Sequence, residues 1–385
     1  MKADAYGHGA IPVARALAAN GADGFCVATL DEAIALRDAG ITQPIVVLYP
    51  IPPNLAPVAR RREIAVTAGD AALLEALLFA LAPAADVRPE PAPPLGLELE
   101  VETGLGRGGL SGTGLVEAAR TIDSVPGARL AGLWTHLQAP EDAGRTAAQL
   151  ERFEKAGDEL RSVGVALPAR HVAATGGLLL DGVAALEGVR PGLAMYGLVP
   201  DELLPGSEAA NRDLPATRPG TAGLRPILSL HARPVRVADL PAGTGISYGP
   251  TFVTSRPSRI ATLPLGYGDG WPRSLSNRAG ALVRGMLVPL VGNVAMDAVM
   301  ADVTDVPGEP VTVHDEFVLI GSQGPARITA ADVAAARGTN SWEVVTSLAA
   351  RLPRVYHAAS VPREIWTLVD DEGTDEIGSR RSVRP

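Results

Sequence analysis

Between residues 9 and 201, short apolar runs alternate with longer stretches whose apolar residues recur at helical spacing. That alternation is the signature of repeated βα units around a parallel sheet. Strand-like runs occupy 24–29, 44–49, 63–67, 95–102, 129–136, 169–174 and 192–197, and helix-like runs 10–20, 31–39, 52–60, 69–81, 113–123, 145–163 and 176–187. The stripe Ala72, Leu73, Leu74, Leu77, Leu78 and Leu81 is one example, with Asp70 as its expected cap and Asp31 as that of an earlier helix. From residue 228 the pattern changes. β-rich runs at 228–237, 258–264, 281–290, 298–303 and 311–320 are punctuated by Gly, Pro and Asp turns, with short helices at 329–336 and 341–350. The expected organisation is an α/β barrel domain over 1–200, a Gly/Pro/Ala-rich linker over 201–226, a β-rich domain over 227–370 and a charged, disordered tail over 371–385. The Pro- and Ala-rich stretch 82–94 reads as a loop.

A closed parallel barrel needs about eight strands, and its active site sits at their carboxyl ends. The chain starts with a loop and a helix, which puts the missing eighth strand just before Lys2. The expected class is therefore a (β/α)8 TIM-type barrel whose first strand is absent from this chain, followed by a mainly β domain. Lys2 then stands in the active-site layer, and two strand edges are expected to be left unpaired.

Charge and composition narrow the partners. The 385 residues carry a formal charge of −9, which disfavours nucleic acid or an anionic membrane as the main partner. No apolar run reaches membrane-spanning length and no signal peptide is visible, so a cytoplasmic location is expected. The single cysteine, Cys26, rules out an internal disulfide framework and reads as a buried strand thiol. Metal-ligand spacing, a Walker loop and a nucleophile elbow are all missing from the sequence.

The opening segment, Lys2-Ala3-Asp4-Ala5-Tyr6-Gly7-His8-Gly9, places an amine, a phenol and an imidazole among small residues. Alone, it reads first as a frayed terminus. Other candidates fall at strand ends. Glu102-Thr103-Gly104-Leu105-Gly106-Arg107 offers an arginine on a glycine-rich loop, suited to a carboxylate or phosphate. Trp134-Thr135-His136 and Arg170-His171 supply imidazoles near the same barrel end, and Arg190 to Gly197 adds glycine N–H groups. Two tyrosines flanked by glycine, in Gly245 to Pro250 and Gly266 to Trp271, lie in the β-rich part. Either could be a simple turn with a packed ring.

Together these segments resemble the alanine racemase family in order and approximate spacing, with Val294-Ala295-Met296-Asp297 as a further match. The resemblance runs from Lys2 to about Val355. It implies a pyridoxal 5'-phosphate (PLP) enzyme that interconverts L- and D-alanine for peptidoglycan precursors, as a homodimer with shared sites. Lys2 would hold PLP as a Schiff base and serve as base on one face of the substrate, and Tyr248 from the other subunit would serve on the opposite face. His136 would be the cationic neighbour of that phenol and one of the cofactor-binding residues. Arg190 would meet the pyridine nitrogen, oriented by His171, and Tyr6, Thr175 and the N–H groups of Gly192 and Leu193 would hold the phosphate. Arg107 and the Met296 backbone would take the substrate carboxylate, while Tyr267 would narrow the entrance. Two positions depart from the family pattern. Glu100 stands where a lysine, often carbamylated, is common, and Ala350 where many members carry a phosphate-binding tyrosine. The alternatives are a PLP-binding protein of weak or no activity, a broader amino-acid racemase, or a related barrel decarboxylase.

Overall fold

Every barrel strand is short, and its neighbours in space are its neighbours in sequence. In the computed structural model, which describes residues 1–82, 93–181, 183, 185–204, 223–367 and 380–382, seven parallel strands follow one another in order. They are β1 (Phe25–Val27), β2 (Ile45–Val47), β3 (Ile64–Ala68), β4 (Leu95–Glu100), β5 (Ala128–Trp134), β6 (Ala169–Ala174) and β7 (Gly188–Arg190). They form a nearly closed barrel with helices on its outside. Beside β1, the Met1 nitrogen donates to the Cys26 carbonyl at 2.8 Å, so Lys2 follows directly from the level of the strands. Cys26 itself is only partly buried.

The seventh strand is not where the apolar run suggested. Residues 192–197 form a 3-10 turn, Leu193–Tyr196, closed by Gly197 at φ 75°, and the strand is Gly188–Arg190 just before Pro191. Proline ends the ladder because it has no N–H to donate, and Leu193 and Tyr196 after it are buried in the turn instead. The helix expected over 176–187 is one turn, Thr175–Leu179. The helix Leu30–Asp38 is capped by Thr29, not Asp31, through a capping box with Glu32. Asp70 does cap its helix, accepting from Leu73 N–H at 2.9 Å.

The barrel core is continuous. Leu97 and Leu99 of β4, Val66 of β3 and the buried leucines 74, 77 and 78 pack in one cluster between sheet and helices. β4 is buried along its whole length, as a central parallel strand should be. Yet two of its residues are acids, Glu98 and Glu100, and both have their side chains on one face.

The chain divides into two compact units: Met1–Tyr6 with Ala10–Arg225, and Gly7–Gly9 with Pro226–Pro385. The second is mainly antiparallel, an eight-stranded sheet beside small hairpins. The run 281–290 is a hairpin, Gly280–Val283 and Met286–Val291, turning at Arg284 and Gly285 with φ 51° and 76°. The expected strand 311–320 begins only at Phe317. The hairpin Arg354–Ala358 with Val361–Trp366 was not anticipated, and Arg380–Ser382 pairs with it inside the expected tail. The remainder of that tail, most of the linker and residues 83–92 lie outside the described residues. Gly7–Gly9 joins this unit through Arg354 Nε to the Gly7 carbonyl at 3.1 Å and the Tyr356 hydroxyl to the His8 carbonyl at 3.1 Å. Among the described residues no helix is long and apolar enough to cross a membrane.

Candidate active site

The segment after Met1 is a left-handed helical turn. Ala3, Asp4, Ala5 and Tyr6 all have φ between 52° and 55°. For L-residues this costs about 1–2 kcal/mol each, so four in a row persist only where the surroundings impose them. Those surroundings are visible. Glu32 accepts from Ala3 N–H at 2.6 Å and from Ala28 N–H at 2.8 Å, Asp4 accepts from Ala10 N–H at 2.7 Å, and Ala5 N–H donates to the Met1 carbonyl at 2.8 Å. The Tyr6 ring lies 5.2 Å from that of Tyr196. Burial raises the pKa of both phenols, so neither ionises near neutrality.

Tyr6 points at the turn after β7. A side chain on Gly192 would put its Cβ 2.8 Å from the Tyr6 hydroxyl, so the Tyr6 ring would have to shift to admit one. The Thr175 hydroxyl accepts from the Gly192 and Ala194 N–H groups at 2.9 and 3.3 Å. Tyr6, Thr175 and the backbone of 192–194 therefore converge on one small polar cradle at the start of a turn, a setting that favours an anion.

Next to it lies Arg190, on the same face as His171 because His171 pairs with Gly188 and Arg190 lies two residues further along β7. Its Nη1 donates to His171 Nδ1 and, at 2.7 Å, to the His171 carbonyl. Nη2 donates to the Thr135 and Val172 carbonyls at 2.7 and 3.3 Å. Among the described residues, Nε has no partner. The guanidinium also lies 5.0 Å over the Trp134 ring. Burial draws its pKa down while Cys26, Glu98 and Glu100 push it up, and it remains a cation at any working pH.

Arg107 is held by an ion pair to Glu100 at 3.1 Å and sits 5.4 Å from the Tyr49 ring centroid. Glu100 occupies a niche walled by glycine: a Cβ on Gly69 or Gly108 would come within 3.2 or 3.4 Å of its Oε2. The loop leading to Arg107 is pinned by Glu102, which accepts from Gly106 N–H at 3.0 Å, and by Arg152 Nη1, 2.6 Å from the Thr103 carbonyl. His136 corrects one expectation. Burial, then the charges of Arg190, Arg107 and Lys2, lower its pKa to about 4, so it is a neutral imidazole near pH 7 rather than a cation.

The first unit thus gathers Lys2, Tyr6, Arg107, His136, His171, Thr175, Arg190, Gly192 and Leu193. Tyr248, Tyr267 and Met296 belong to the second unit, 78%, 44% and 54% exposed. There they share one loop cluster. Tyr267 N–H donates to the Ala295 carbonyl at 3.0 Å and Gly268 N–H to that of Met296 at 2.9 Å, while Asn293 Nδ2 donates to the Tyr248 carbonyl at 2.9 Å. Arg351 braces this cluster, 2.7 Å from both Asp269 and Asp297. Glu32, Tyr196 and Glu98 escaped the sequence reading. Glu98 alone had left a signal, a charge on a strand buried on both faces.

Two family models match in succession: alanine racemase, N-terminal domain, over residues 1–200, and alanine racemase, C-terminal domain, over 227–356. The chain belongs to the alanine racemase family. Its similarity to an alanine racemase of Halothermothrix orenii is 36% identity over 360 residues, covering 92% of this chain and 88% of that one. To one of Symbiobacterium thermophilum it is 39% over 365 residues, covering 92% and 89%. Among solved structures, alanine racemase from Bacillus anthracis with bound L-Ala-P superposes with a TM-score of 0.82 at 32% identity, over 94% of this chain and 89% of that one. Alanine racemase from Streptomyces coelicolor A3(2) gives 0.80 at 35%, over 92% and 90%. In this family frame, barrel and β-rich unit are the expected pair.

Proposed function

We propose that this chain interconverts L- and D-alanine with PLP, as a homodimer whose subunits complete each other's sites, in the cytoplasm, for peptidoglycan precursors. One observation carries the cofactor assignment. Arg190 commits Nη1 and Nη2 to protein acceptors and, among the described residues, leaves Nε–H without a partner, where a ring nitrogen could accept it beside the cradle of Tyr6, Thr175 and Gly192 that would take the phosphate. When bound, PLP withdraws electrons from the substrate α-carbon and so makes its proton removable.

The side chains do the rest. The Lys2 amine would hold the cofactor and move a proton on one face, and Tyr248 of the partner subunit would move one on the other. Two bases are the minimum for inverting a stereocentre in both directions. Tyr6, Thr175 and the Gly192 and Leu193 N–H groups would bind the phosphate. Arg190, which does not give up its proton, would donate to the pyridine nitrogen without protonating it, and so would keep the electron sink weak and disfavour transamination. Arg107 would grip the substrate carboxylate with the backbone of the partner's Met296, and the partner's Tyr267 would limit the side chain. His136 would contribute as a neutral hydrogen-bonding group. Glu100 would orient Arg107 in place of a carbamylated lysine.

Purified protein supplied with PLP should convert either alanine enantiomer into the racemate, measured by chiral chromatography. A visible bound-cofactor band without interconversion would support a binding-only protein. Faster turnover of larger amino acids would point to a broader racemase. Glu100→Gln should raise KM for alanine about 5- to 10-fold with little change in kcat, the loss of one partly buried ion pair. An unchanged KM would remove Glu100 from the carboxylate site.

A further inference from the structure

Glu98 ends a chain of three side chains inside the first unit. Its side chain is 8% exposed, and its Oε2 lies 2.8 Å from His171 Nε2. The other ring nitrogen, Nδ1, meets Arg190 Nη1. A guanidinium has no acceptor, so Nδ1 must accept, and the ring proton therefore sits on Nε2 and is donated to Glu98. Room for the carboxylate comes from Gly132, its register partner on β5. A Cβ there would overlap the carboxyl carbon and both oxygens. A buried anion is costly unless paired and hydrogen-bonded, so a carboxylate kept opposite a glycine is a built feature.

We propose that Glu98 is a positioning residue that locks His171 in its Nε2–H tautomer and, through it, aims Arg190. With Nδ1 free to accept, Arg190 Nη1 is held in place and Nε–H faces the cofactor ring. With no acceptor at Nε2, the Nδ1–H tautomer becomes accessible and places two donors against each other, so the guanidinium must turn. The inference rests on the PLP reading for its consequence, but not for the tautomer.

The full-length cofactor-free protein with 15N-labelled histidine tests it directly by NMR. Wild-type His171 should carry its proton on Nε2, and Glu98→Gln, which keeps an acceptor, should leave it there. Glu98→Leu, of similar bulk and no acceptor, should shift the population toward Nδ1–H and weaken PLP binding about 10-fold or more, with Glu98→Gln within about 3-fold of wild type. A wild-type proton on Nδ1, an unchanged tautomer in Glu98→Leu, or Glu98→Gln as damaging as Glu98→Leu would each overturn the proposal. Should Glu98→Leu not fold, the wild-type and Glu98→Gln tautomers still decide it. Failure of the wild type to bind PLP would sink the cofactor reading and leave the tautomer result standing.

Discussion

Lys2→Ala and Tyr248→Phe should each lower alanine racemisation at least about 100- to 10,000-fold, and an equal mixture of the two, dissociated and reassociated, should regain activity. Each variant removes one of the two bases on which the proposed inversion depends. Lys2→Ala should also lose the visible absorbance of covalently held PLP, whereas Tyr248→Phe should keep it. The mixture matters most. If a site takes Lys2 from one subunit and Tyr248 of the partner subunit, a mixed dimer holds one doubly defective site and one intact site. Half of randomly paired dimers are mixed, so recovery should approach roughly a quarter of wild-type activity. The exposure of Tyr248 on the second unit suits a residue completed by another subunit. Absence of recovery in verified mixed dimers would confine both bases to one chain.

The second large effect is acid sensitivity. His136 has a folded pKa of about 4 against an ordinary 6.5, because burial and the neighbouring Arg190, Arg107 and Lys2 disfavour its charged form. Between those values the unfolded chain binds the proton and the folded one does not. Stability therefore falls as pH drops through 6.5 toward 4, and is flat on either side as far as this group is concerned. The full loss is about 3 kcal/mol. Urea unfolding of the cofactor-free protein at pH 7.5 and 4.5 should show it, and His136→Gln should lose about that much less between the two pH values. Equal pH dependence in both proteins would mean that His136 is free to charge. The same neutrality bears on catalysis. A neutral imidazole can hydrogen-bond a phenol but cannot stabilise a phenolate by charge, so His136 is no cationic partner for a phenol base.

Much of the architecture was legible from the chain. The βα alternation has a short period and depends on local burial, so strands β1 to β6 and most helices fall where the apolar runs lie. The misplaced seventh strand shows the limit. Gly188–Arg190 has one apolar side chain, Val189, and gives no apolar signal, whereas 192–197 does; the strand lies at 188–190 because Pro191 ends the ladder. The hairpin at 354–366 was missed because hydrophobic alternation there is weak, although its two strands are neighbours in sequence.

For the site, residue chemistry marked the segments that hold Lys2, Arg107, His136 and Arg190 as candidates, and their roles came from the resemblance of those segments, in order and spacing, to the alanine racemase family. What side chains do together was not readable in this way. That Lys2 opens a left-handed turn held by Glu32, that Arg190 keeps only Nε–H, that His136 is neutral and that Glu98 governs a histidine on β6 all depend on contacts between residues far apart in sequence. Local pattern reports which way a residue faces, because that is set by its own backbone period. Protonation and hydrogen-bond direction are set by whatever the fold brings opposite it.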